Sequence, residues 1–119
     1  MSNIKRINVE RRYSDVAVYN GVAYLAGQVP HDASTDIVDQ TRQVLQIIDQ
    51  LLAESGTDKS KILMVQIFLS DLADYDGMNS AWDEWVAVNN APPRATVQAK
   101  LANPAWKVEI VVTAAVPSS

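Results

Sequence analysis

The sequence predicts an α+β protein, with two helices segregated on one face of a mixed sheet. Three observations carry this. Asn20-Gly21 separates two short apolar runs, residues 37–52 repeat their apolar positions at helical spacing, and Ile62 to Leu69 is an unbroken apolar run of strand length.

Taken in order, Ile4 to Val9 fits an additional first strand. Asp15 to Tyr19 and Val22 to Ala26 read as a hairpin, because Asn-Gly supplies the two positive φ angles that a type I′ turn requires. Gly27-Gln28-Val29-Pro30 ends the second strand, since Pro30 has no N–H for the ladder. Ile37, Thr41, Val44, Leu45, Ile48, Leu51 and Leu52 then mark the inner face of a helix. Ser34 or Thr35 is its expected cap, Asp36 and Asp39 suit the dipole of its first turn, and Gly56 stands where a C-cap belongs. Its charged residues, Asp49 and Glu54 included, read as a solvated face. Ile62 to Leu69 reads as a central strand buried on both sides. Met78, Ala81, Trp82, Trp85 and Val86 mark a second, shorter helix, which Asn89-Asn90-Ala91-Pro92-Pro93 breaks. Arg94 to Leu101 and Lys107 to Val116 are the last two strands. The helices cover one sheet face. The other also carries apolar residues (Val97, Ala99 and Val111), and no chain remains to cover it, so a partner subunit is expected there.

At 119 residues the chain fits a single domain over residues 1–119, and a core of this size makes oligomerisation a natural expectation. Ten Lys and Arg against fourteen Asp and Glu leave a net charge of −4, which repels polyphosphate and argues against non-specific nucleic-acid binding. Without a cysteine, disulfides, thiolate nucleophiles and cysteine-based metal sites are excluded. Met1 to Arg12 is basic but holds no apolar segment of signal-peptide length. No run approaches the ~18 apolar residues of a membrane span, so a cytoplasmic location is the default expectation.

Familiar catalytic constellations are missing. His31 is the sole histidine and has no second histidine or cysteine to complete a ligand set, so no metal is expected. Trp82, Trp85 and Met78 read as core rather than as a cofactor box. Asp71, Asp74 and Asp76 lack the spacing of a calcium loop. Arg94 stands out: Pro92-Pro93 stiffen its approach, and it opens a strand on which Arg94, Thr96 and Gln98 share a face. Lys107, Glu109 and Val111 share a face of the final strand in the same way. Were these two strands paired, a guanidinium and a carboxylate would lie on the same side of the sheet. The pair is then either a carboxylate clamp with an acid/base group or a structural salt bridge, and spacing leaves both open.

The run Pro92-Pro-Arg-Ala-Thr-Val-Gln-Ala-Lys-Leu-Ala-Asn-Pro-Ala-Trp-Lys-Val-Glu-Ile110 resembles the C-terminal signature of the RidA (YjgF/YER057c/UK114) family. Gly27-Gln28-Val29-Pro30, Gln40-Thr-Arg-Gln-Val-Leu45 and Ile67-Phe-Leu-Ser-Asp-Leu72 are similar to its hairpin, first helix and central strand, so the resemblance runs from about Tyr13 to Val116. It implies a chorismate-mutase-like fold, a homotrimer with a central β-barrel, and a pocket between subunits. There, without a cofactor, reactive enamines and imines (2-imino acids) are hydrolysed to 2-keto acids and ammonia. By the same resemblance Arg94 clamps the substrate carboxylate, Glu109 positions water or moves protons, and Tyr13 closes the pocket from the neighbouring chain. Ala26, Gly27 and Thr96 complete the substrate-binding residues. Ala26 replaces the family's usual serine, Thr96 a frequent cysteine, and Arg11-Arg12 a Gly-Pro, while Trp106 adds bulk. Non-catalytic binding of small carboxylates at the same pocket is the alternative. The RNA cleavage or translation inhibition ascribed to some relatives is disfavoured by the acidic charge.

Overall fold

The computed structural model describes residues 3–118, so the first two residues of the basic Met1–Arg12 segment and the last of the Pro117-Ser-Ser tail lie outside it. Six strands, β1 (Lys5–Val9), β2 (Ser14–Tyr19), β3 (Val22–Leu25), β4 (Ile62–Leu69), β5 (Arg94–Gln98) and β6 (Val108–Ala115), form one sheet in the order β1-β2-β3-β6-β4-β5. Two helices, α1 (Ile37–Glu54) and α2 (Tyr75–Trp85), complete the α+β fold. Neither is long and apolar enough to cross a membrane.

The hairpin forms as its turn chemistry dictates. Asn20 has φ 50° and Gly21 φ 76°, and Tyr19 faces Val22 directly across the turn. α1 lies against the sheet through Val44, Leu45, Ile48, Leu51 and Leu52, all buried, and Gly56 (φ 84°) follows its C-cap, Ser55. Its cap is neither Ser34 nor Thr35. The Asp36 carboxylate accepts the Asp39 N–H at 2.9 Å, while the Ser34 hydroxyl donates to Asp32. The acidic side chain both satisfies a free N–H and complements the helix dipole, so it outcompetes the hydroxyls. Asp49 and Glu54 are exposed, as expected of a solvated face, and Asp49 also accepts the Trp85 indole N–H at 2.9 Å, which ties α1 to the end of α2.

The last two strands depart most from expectation. β5 and β6 do not pair; β4 runs between them, antiparallel to β6 and parallel to β5. A parallel neighbour needs a crossover, and a short 3-10 turn (Leu72–Asp74) with α2 supplies it. β4 is therefore central, as its apolar run suggests, yet it is buried on one face only: Val65, Ile67 and Leu69 lie under the helices, whereas Met64 and Gln66 are exposed. β6 alternates buried and half-buried residues along its whole length. Within the chain the second face stays open, and Tyr19, Tyr24, Met64 and Val97 stand on it at 39% to 52% exposure. Separate apolar side chains on a surface are ordinary, but several on one sheet face form the kind of patch that another surface covers.

Candidate functional site

Register decides where the candidate residues go. On β4, Val65 faces Arg94 on one side and Val112 on the other, while Phe68 faces Val97 and Glu109. Val65 and Phe68 lie an odd number of positions apart, and side chains alternate along a strand. Arg94 therefore points to the helix face and Glu109 to the open face. The sequence reading that placed them together fails because it assumed adjacent strands. Any Arg94–Glu109 salt bridge fails with it: the ion pairs among the described residues are Arg42–Glu84 and Lys61–Asp58.

Glu109 is half-buried in a cavity of about 330 Å³, lined also by Tyr13, Asp15, Ala26, Gly27, Gln28, Val29 and Trp106. Two backbone hydrogen bonds between Gln28 and Ile110, at 2.9 and 3.1 Å, carry the chain past β3 and hold Gly27 beside the carboxylate. The approach is so close that a Cβ on Gly27 would lie 2.1 Å from Glu109 Oε2. Only a residue without a side chain lets the carboxylate rest there. No hydrogen bond or ion pair engages that carboxylate among the described residues. Tyr13, 58% exposed, stands at the mouth and shares the cavity with Glu109 of its own chain.

Sequence reasoning missed two contributors. Asp15 lines the cavity, with one oxygen accepting from Asn8 Nδ2 at 3.0 Å. Gln40 is fully buried on α1; its Nε2 donates to the carbonyls of Ala33, Thr35 and Ala105, and its Oε1 accepts the Lys107 N–H at 2.9 Å. Gln40 thus clips the loop that carries Trp106 into the cavity and feeds β6. A buried glutamine is a signal only once its burial is known; in the sequence it is one of several glutamines on an amphipathic helix.

On the other face, Arg94 and Thr96 share the helix side of β5, an edge strand, as their spacing implies. Arg94 is half-buried against α2. Its Nη1 donates to Asn79 Oδ1 at 2.7 Å and its Nη2 to the Tyr75 hydroxyl at 3.3 Å, and the guanidinium carbon is 5.1 Å from the centre of the Trp82 ring. All these partners are neutral. Among the described residues the site residues thus divide into two groups, Tyr13, Ala26, Gly27 and Glu109 in one and Arg94 and Thr96 in the other, and the Glu109 cavity includes neither Arg94 nor Thr96.

This six-stranded sheet with two helices is the architecture of a known class. A model of the family described as Endoribonuclease L-PSP matches residues 3–116. A RutC family protein of Haemophilus ducreyi is 64% identical over 113 residues, covering 95% of this chain and 97% of its own. The RutC family protein YoaB of Escherichia coli is 48% identical, with 95% and 98% covered. The crystal structure of a YjgF family member from Neisseria meningitidis superposes with a TM-score of 0.95 at 43% identity, covering 98% of both chains. The chain belongs to the YjgF/RidA (endoribonuclease L-PSP) family.

Proposed function

We propose that the protein hydrolyses reactive enamines and imines (2-imino acids) to 2-keto acids and ammonia, in a pocket completed between the chains of a homotrimer. The observation that carries this reading is the division of the site. Among the described residues, Arg94, with only neutral partners, sits on an edge strand, and Glu109, with none, lies in a cavity on the opposite sheet face. One small substrate cannot touch both through the sheet, whereas a neighbouring chain can bring its own edge strand to the Glu109 cavity. The uncovered apolar face supplies the surface for that association.

In such a pocket the Arg94 fork takes the substrate carboxylate and fixes its orientation. Glu109 accepts a proton from water as the oxygen attacks the carbon of the protonated imine, giving a neutral carbinolamine. The same carboxyl returns that proton to nitrogen and, a carboxylate again, takes the hydroxyl proton as the C–N bond breaks and the C=O forms; ammonia leaves and carries that last proton away as ammonium. Tyr13 and Trp106 wall the cavity and limit access of bulk water. No metal or cofactor enters this scheme.

One observation favours the alternative, carboxylate binding without turnover: Ala26 lines the cavity where archetypal relatives offer a hydroxyl. RNA cleavage finds less support, since the net charge of −4 works against phosphate approach. Glu109→Gln separates the first two. It keeps the size of the side chain but cannot accept a proton, so imine hydrolysis should fall by roughly 10²–10⁴-fold while 2-keto acid binding is retained. Wild-type turnover in this variant would refute the assigned role.

A further inference from the structure

Arg94 is held in an unusual way for a half-buried cation. Tyr75, Asn79 and Trp82 follow one another at i, i+4 and i+7 on α2, which aligns them along one helix face. The guanidinium lies along that face, 5.1 Å from the Trp82 ring centre and 6.0 Å from that of Tyr75, with the Asn79 carbonyl oxygen at 2.7 Å and the Tyr75 hydroxyl at 3.3 Å. The acidic residues on the rest of the helix, Asp76, Asp83 and Glu84, are all exposed, and Glu84 is already paired with Arg42. Among the described residues the cation is therefore held by neutral groups and paired with no carboxylate.

We infer that Asn79 is the positioning residue of the anion clamp: it aims the Arg94 fork and, being an amide, leaves its charge unspent. The physical reason lies in competition. A carboxylate at this position would make the same short contact, but as an ion pair, and a ligand carboxylate would then have to displace or share it. The Asn79 amide oxygen here accepts one guanidinium N–H and cannot ionise, while the aromatic faces hold the guanidinium by cation–π attraction without occupying its in-plane donors. The remaining N–H groups stay available for bidentate recognition. The fork is thereby rigid before a ligand arrives, so less side-chain entropy is lost on binding.

This inference rests on the reading of Arg94 as a carboxylate clamp, and the test keeps the two apart. Asn79→Asp is nearly isosteric, so it introduces charge and little else. Calorimetric titration with 2-ketobutanoate should show at least tenfold weaker binding than wild type, with a Tm at or above the wild-type value. In the Arg94→Ala background, the Tm change produced by Asn79→Asp should vanish, because the new ion pair has lost its cation. Asn79→Ala should weaken binding less than Asn79→Asp, since it loosens the fork without neutralising it. A merely structural asparagine predicts the reverse order, with Ala the more damaging change. Wild-type affinity in Asn79→Asp, or a Tm effect indifferent to Arg94, overturns the inference. A wild-type protein that binds no 2-keto acid overturns the clamp reading instead, and the Asn79–Arg94 contact then stands or falls on the thermal cycle.

Discussion

Gly27→Ala is the most informative single change at the Glu109 cavity, because its effect follows from one distance. The added methyl would meet Glu109 Oε2 at 2.1 Å, Cδ at 3.0 Å and Cγ at 3.2 Å, whereas ordinary contact begins near 3.4 Å, so the carboxylate must retreat by roughly 1.3 Å. Gly27 does not occupy the left-handed region, so alanine imposes no backbone strain. The obstructing group is the end of a flexible side chain in an open cavity, and it can rotate away. Stability should therefore change by less than about 1 kcal/mol, while the carboxylate proposed as the acid/base group is displaced by a distance that costs on the order of 10²-fold in rate. The assay generates 2-iminobutanoate with a dehydratase and follows 2-ketobutanoate release, alongside a thermal melt of the same sample. A folded variant with wild-type turnover would refute the claim that carboxylate placement matters. A variant that instead lost several kcal/mol of stability would show that the Gly27–Glu109 contact is a packing constraint and nothing more.

Four further outcomes are expected. Arg94→Ala should remove 2-keto acid binding, a loss of roughly 1.5–3 kcal/mol for a charge-assisted contact, and Arg94→Lys should not restore it; calorimetry reads both. Gln40→Leu should cost about 1–3 kcal/mol in denaturant unfolding, because it removes the acceptor of the part-buried Lys107 N–H and the donor to the carbonyls of Ala33, Thr35 and Ala105. Light scattering should give three chains of 13.1 kDa, and Val97→Glu on the open face should shift the population toward monomer. The carboxyls of Asp39, Asp32 and Asp58 are held below the ordinary value of 3.8, chiefly by hydrogen bonds from the side chains of Gln43, Ser34 and Ser60 respectively. Depressed carboxyl pKa values stabilise the fold fully above the unfolded value and lose that contribution as pH falls through the folded one. Melting temperature should therefore be insensitive to these groups at neutral pH and decline on acidification below about pH 4.

Local chemistry made much of the fold legible in advance. Asn20-Gly21 specifies its turn because few residue pairs tolerate two positive φ angles, and the 3.6-residue period of α1 survives because one helix face must be dry. Arg94 and Thr96 share a face, and Glu109 and Val111 share another, because strand alternation is a property of each strand alone. The family, too, was readable from the Arg94 and Glu109 segments. Pairing was not, since it depends on which strands become neighbours. Nothing in the residues of β5 and β6 records that β4 comes between them, and that insertion sends Arg94 and Glu109 to opposite faces. One-sided burial of β4 escaped the sequence for a related reason: a strand apolar on both sides looks the same whether its second face is covered by its own chain or left open for another. The burial of Gln40, the 2.1 Å approach of Gly27 to Glu109 and the neutral cradle around Arg94 each join residues distant along the chain. Periodicity and turn chemistry act over a few residues, whereas these contacts exist only once the sheet has closed its register and the helices have packed upon it.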